Sequence, residues 1–105
     1  MRVGMVAPLA ESVPPKLYGG TERVVHYLTE ELVRLGCDVT LFATGDSRTR
    51  ARLVACAPRA LRLDPAVREQ QPHHLAMLRS VREQADRFDV IHFNIDWLHY
   101  PVMLD

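Results

Sequence analysis

The sequence predicts an α/β protein: a parallel sheet with flanking helices in the order β-α-β-β-α-β. Two short apolar runs, Val3–Ala7 and Val39–Ala43, lack the polar alternation of a half-solvated strand and fit strands buried on both faces. Between them lies a segment with apolar residues at helical spacing, closed by Gly36. A strand, a helix, a glycine and a strand in succession make a βαβ unit, whose crossover is expected to be right-handed.

In chain order, Arg2–Ala7 is the first strand. Pro8–Gly20 is a loop, because three prolines remove backbone donors and Gly19-Gly20 ends the stretch. Thr21–Leu35 is the clearest helix. Val24, Val25, Leu28, Leu32 and Leu35 are its apolar face, Thr21 the expected N-cap, and Glu22 sits at the positive end of the dipole. Asp38–Ala43 is the second strand and Thr44–Ser47 a turn. Arg52–Cys56 is a third strand closed by Pro58. Pro72–Arg87 is a second helix with Leu75, Leu78, Val81, Ala85 and Phe88 on one face. Asp89–Phe93 is a fourth strand, Asn94–His99 a loop, and Tyr100–Asp105 the opening of another helix. This is half of a Rossmann-like sheet. Its last strand is expected to have an unpaired side, or to pair with a second copy of the chain.

The chain has 105 residues, enough for one small domain. Thirteen basic residues balance thirteen acidic ones, which weighs against a dedicated nucleic-acid binder. Cys37 and Cys56 match no zinc or redox spacing and read as reduced structural thiols. The N-terminal apolar run is too short for a signal core or a membrane span, so a cytoplasmic location is the expectation. Arg48, Arg50, Arg52, Arg59 and Arg62 read first as a solvated face. The lesser alternative is contact with an anionic acceptor or the inner membrane surface.

Two segments could carry chemistry. Leu17–Val24 joins the first strand to the first helix. Its glycines let a ligand approach the backbone, and the helix start offers free N–H groups to an anion such as a diphosphate. The plain alternative is an ordinary loop entering a helix. The segment is neither G-x-G-x-x-G nor a Walker loop. In Asp89–Trp97 the strand ends near Phe93, so Asn94, Asp96 and Trp97 belong at the carboxyl edge of the sheet, where ligands of open α/β sheets bind. His92 reads as a core histidine, and Asp96 as either a site residue or a helix N-cap. Adjacent His73 and His74 diverge on a helix and read as solvated surface rather than a metal pair.

Three ordered blocks resemble the opening of the family-four retaining glycosyltransferases of the GT-B class. The first runs from Val3–Ala7 through a proline loop to Gly19-Gly20-Thr21-Glu22-Arg23-Val24-Val25. The second is Leu32–Phe42, where Cys37 stands at the family's usual histidine. The third is Asp89-Val90-Ile91-His92, with Asn94 at the frequent second histidine.

The resemblance implies transfer of a sugar from a nucleotide-sugar donor, such as a UDP- or GDP-sugar, to an acceptor with retention, generally without metal or other cofactor. It gives Gly19 and Gly20, with Thr21 and Glu22 of the same block, a place near the donor diphosphate and the acceptor; Asn94 and Asp96 join them as candidate substrate-binding residues from their expected place at the carboxyl edge of the sheet. The family's functional histidine would fall beyond Asp105. Residues 1–105 are therefore expected to be a truncated N-terminal domain lacking its second domain and inactive alone. Two other readings stay open: a stand-alone nucleotide- or phosphate-binding module, and a non-catalytic fragment that dimerises through the open sheet edge. A receiver-like module is disfavoured, because Ala7–Glu11 supplies no acidic cluster after the first strand.

Overall fold

The computed structural model describes residues 1–103. The elements are β1 (Arg2–Val6), α1 (Gly20–Arg34), β2 (Asp38–Thr44), β3 (Arg52–Ala57), α2 (Gln71–Glu83), β4 (Val90–Phe93) and α3 (Tyr100–Met103). Single 3₁₀ turns lie at Leu61–Leu63 and Ala85–Arg87. The last two residues of the helix expected over Tyr100–Asp105 lie outside the described residues.

The four strands form one parallel sheet in the order β3-β2-β1-β4. Val3 pairs with Val39 on one side and with Val90 on the other. The α/β class and parallel sheet expected from the apolar runs are those observed. The sheet has helices on both faces because side chains alternate along each strand. Val3, Met5, Val39 and Leu41 face α1 and pack with Val25. Val6 and Phe42 face the other way, onto Met77 and Val81 of α2. Gly4 lets Phe88 lie against β1, since a Cβ there would sit 3.2 Å from the ring.

Helix α1 differs from its expected form in two ways. It begins at Gly20 with Gly19 as N-cap and no side-chain cap hydrogen bond, so Thr21 is inside the first turn and not the cap. Its buried face is Glu22, Val25 and Thr29, while Val24 and Leu35 are exposed. Val25, Leu28 and Leu32 of the expected apolar face do pack against the core, and two polar residues, Glu22 and Thr29, take buried positions beside them. The C-terminus behaves as expected. Gly36, at φ +93°, donates its N–H to Val33 O (3.0 Å), and Cys37 donates to Leu32 O (3.0 Å), a complete Schellman motif.

Helix α2 ends at Glu83, before the separate 3₁₀ turn, and buries Met77 as well as Leu78 and Val81; Leu75 is exposed. β4 is an edge strand of alternating exposure, so His92 is exposed and is not a core histidine.

The connection Gly45–Ala51 is held by acidic side chains. Glu30 of α1 accepts from the Thr49 hydroxyl (2.7 Å) and pairs with Arg50 (2.9 Å). Asp46 accepts from Ala60 N–H (3.2 Å) and lies 3.6 Å from Lys16. The arginine-rich stretch is thus partly spent on ion pairs: Arg50 to Glu30, Arg59 to Asp64, and Arg62 to Glu11.

Burial works to raise the carboxyls of Glu30 and Asp46, but hydrogen bonds outweigh it: from Thr49 and Arg50 to Glu30, and from Thr44 and Ala60 to Asp46, with the Lys16 charge adding to them. Both groups are therefore held below the usual carboxylate range. A depressed folded value means stability that is present above the unfolded value, about 4, and lost as pH falls through the folded value. In urea titrations from pH 5 downward, Asp46→Asn is expected to flatten the acid-side loss of stability. An unchanged slope would remove Asp46 from that account.

Candidate functional site

The chain leaves β1 through α1 to reach β2 on one side, and later returns to β4 on the other side of β1. That reversal opens a crevice at the carboxyl ends of β1 and β4. A cleft of about 500 Å³ lies there, and Gly19, Gly20, Thr21, Glu22, Asn94 and Asp96 all line it. The two sequence segments singled out for chemistry, far apart in the chain, share one cavity.

Each residue has a distinct setting. Gly19 is buried at φ +157°, and a Cβ there would sit 2.9 Å from Glu22 Oε1, 3.0 Å from Pro15 Cβ and 3.2 Å from Glu11 Cγ. Gly20 has open space around it. Thr21 is exposed, and Glu22 is 5% exposed. With no side-chain cap at Gly19, the first-turn N–H groups of α1 are open to a ligand at the positive end of the dipole.

Asn94 donates its Nδ2 to Val6 O (3.1 Å) and His92 O (3.2 Å), which leaves Oδ1 as an acceptor. Its backbone N–H also donates to Val6 O (2.9 Å), so Asn94 bridges the two strands at the switch point. Asp96 is exposed in the loop before α3 and does not cap that helix, which opens at Tyr100. The loop is pinned at its far end, where the His99 ring stacks on Phe93 at 4.3 Å and lies 4.4 Å from Tyr100.

The cleft also contains residues that sequence spacing did not assign to it. Arg62 reaches it from the turn after β3 and pairs with Glu11 (3.1 Å), whose side chain is 3% exposed. The second Glu11 oxygen is buried without a hydrogen-bond partner. Arg62 is the cationic side chain among the described residues of the lining, against the carboxylates of Glu22 and Asp96. Tyr18, Gln70, Gln71 and Trp97 complete its polar and aromatic parts.

His74 is not solvated surface. Its Nδ1 donates to Gln70 O (2.9 Å), and its Nε2 accepts from Leu9 N–H (2.9 Å), placing the ring proton on Nδ1. His74→Ala would leave the Leu9 N–H, on a fully buried residue, without its partner. A loss of about 1–3 kcal/mol is expected in chemical denaturation. A change within error would show that this bond contributes nothing.

The loop that precedes the glycines is largely buried, not a solvated excursion. Leu61 N–H donates to Leu9 O (2.9 Å), Arg62 N–H to Ala10 O (3.0 Å), and Arg48 N–H to Val13 O (2.8 Å). These ties bring the turn carrying Arg62 beside the glycine pair.

Among the described residues, no group of three or more His, Cys, Asp or Glu side chains could hold a metal ion, and no helix is long and apolar enough to cross a membrane. Fold and cleft together define a Rossmann-like α/β domain with a cleft at its topological switch point. The family model of the glycosyl transferase 4-like domain matches residues 19–104, and the chain belongs to that family. It is a glycosyltransferase-related domain of the GT-B type. No curated protein matches the chain.

Proposed function

We propose that this domain forms one wall of a glycosyl-transfer site, acting on a nucleotide-sugar donor such as a UDP- or GDP-sugar with retention of anomeric configuration. The observation that carries the reading is the shared cleft: the Gly19-Gly20 entry to α1 faces the Asn94–Asp96 edge across it. The α1 N-terminus takes the donor diphosphate, where backbone N–H groups and the dipole favour negative charge. In the reaction an acceptor hydroxyl oxygen bonds to the anomeric carbon. The bond from that carbon to the diphosphate oxygen breaks, the nucleoside diphosphate leaves with the electron pair, and the hydroxyl proton passes to it. A second Rossmann-like domain facing the cleft supplies the rest of the donor pocket.

Glu22 and Asp96 oppose a diphosphate, so this wall alone binds donor weakly. Calorimetry with UDP, GDP and their glucose and mannose conjugates is expected to show no micromolar binding. Amide shifts at millimolar nucleotide sugar are expected at Gly19, Gly20 and Thr21. Micromolar binding would favour a self-sufficient nucleotide module. Shifts confined elsewhere in the chain would sink the proposal.

The exposed edge of β4, with Val90 48% exposed, supports pairing with a second copy as a further reading. Sedimentation at rising concentration tests it, and a clean monomer throughout would remove it.

A further inference from the structure

We propose that Tyr18 and Trp97 form an aromatic clamp at the mouth of the cleft, and that the acceptor it holds is a neutral saccharide. The proposal rests on the glycosyl-transfer reading above and names its acceptor class. Tyr18 and Trp97 come from different loops, after β1 and after β4, yet line one cavity. They are 77% and 64% exposed. An aromatic face is electron-rich and apolar. It matches the face of a pyranose, where several C–H groups point the same way and carry partial positive charge.

The lining between them selects among ligands. The Glu22 and Asp96 carboxylates and Asn94 Oδ1 are acceptors, the Asn94 amide donors are already spent on Val6 O and His92 O, and the Thr21 hydroxyl and the Gln70 and Gln71 amides can both donate and accept, as a sugar hydroxyl does. The cationic Arg62 is paired with buried Glu11. Such a wall favours an uncharged ligand with many O–H donors. It disfavours a second phosphate or a carboxylate sugar. A nucleobase would also stack on the rings but offers few donors to these acceptors.

Trp97 is the only tryptophan, so its fluorescence reports on the cleft directly. The chain is titrated with the methyl glycosides of glucose, mannose and galactose. The comparison ligands are sorbitol, glucose 6-phosphate, uridine and guanosine. A saturable response to at least one glycoside is expected, with weaker responses to the comparison ligands. Tyr18→Ala should weaken that binding about three- to tenfold, the worth of one aromatic contact, while Tyr18→Phe retains it. Tyr18 is exposed, so neither change threatens the fold.

No saturable response to any glycoside, or a stronger response to the polyol, the phosphate or the nucleosides, overturns the proposal. If glycosides fail while nucleotide sugars still shift the Gly19–Thr21 amides, the acceptor class falls and the glycosyl-transfer reading stands. If glycosides bind while those amides stay unmoved, the cleft is a saccharide site and the transfer reading falls instead.

Discussion

Gly19→Ala is expected to lower stability by about 2–4 kcal/mol, combining the cost of a side chain at a positive φ with that of overpacking. A methyl group there would meet Glu22 Oε1 at 2.9 Å, Pro15 Cβ at 3.0 Å and Glu11 Cγ at 3.2 Å. Two of these neighbours belong to carboxylates that are themselves buried, and the third is a proline ring, so none has free space to yield into. Gly20→Ala provides the contrast. Nothing lies within 4 Å of its added methyl, and alanine favours helix over glycine by up to about 1 kcal/mol. Urea denaturation of the two variants should therefore diverge in sign or nearly so. Equal losses would mean that the tight packing around Gly19 is relieved by small shifts of the loop.

The second large effect is expected at Phe42. This ring is fully buried in β2 and meets Phe88 edge-on at 5.9 Å. It also belongs to the cluster that joins the sheet to α2 and to Leu9 of the first loop. Phe42→Ala should cost about 3–5 kcal/mol through lost burial and the cavity left behind. For a domain whose total stability is about 5–15 kcal/mol, that is enough to leave a sizeable unfolded fraction in mild urea. Phe42→Leu should recover more than half of the loss. If Phe42→Ala unfolds with an unchanged midpoint, the cluster is not the stabilising centre described above.

Much of the fold was legible because the central strands carry their burial in their composition. Val3–Ala7 and Val39–Ala43 are apolar on both faces, and only a covered parallel sheet accommodates that. Gly36 marked the end of α1 for the reason the Schellman hydrogen bonds show. The helix faces were less legible. Residue type placed Val24 and Leu35 inside α1, whereas Glu22 and Thr29 occupy that side, since the exact angle at which a helix meets the sheet is set by tertiary packing.

The candidate site divides in the same way. Gly19, Gly20, Asn94 and Asp96 follow strands in sequence, so an edge position could be inferred for them. Arg62 and His74 enter through backbone ties from Ala10 and Leu9, which no spacing rule encodes. His74 carried a misleading signal, because its neighbour His73 drew attention to metal geometry and away from a single hydrogen-bonded ring.

The loop that leads into the cleft is held by main-chain hydrogen bonds from Leu61, Arg62 and Arg48. Such bonds do not depend on which side chains the loop displays. Substitutions at Tyr18, Gln70, Gln71 or Trp97 can therefore change the surface the cleft presents while that loop keeps its shape. In evolutionary terms this is a scaffold whose cleft lining can vary one residue at a time without each step having to rebuild the domain beneath it.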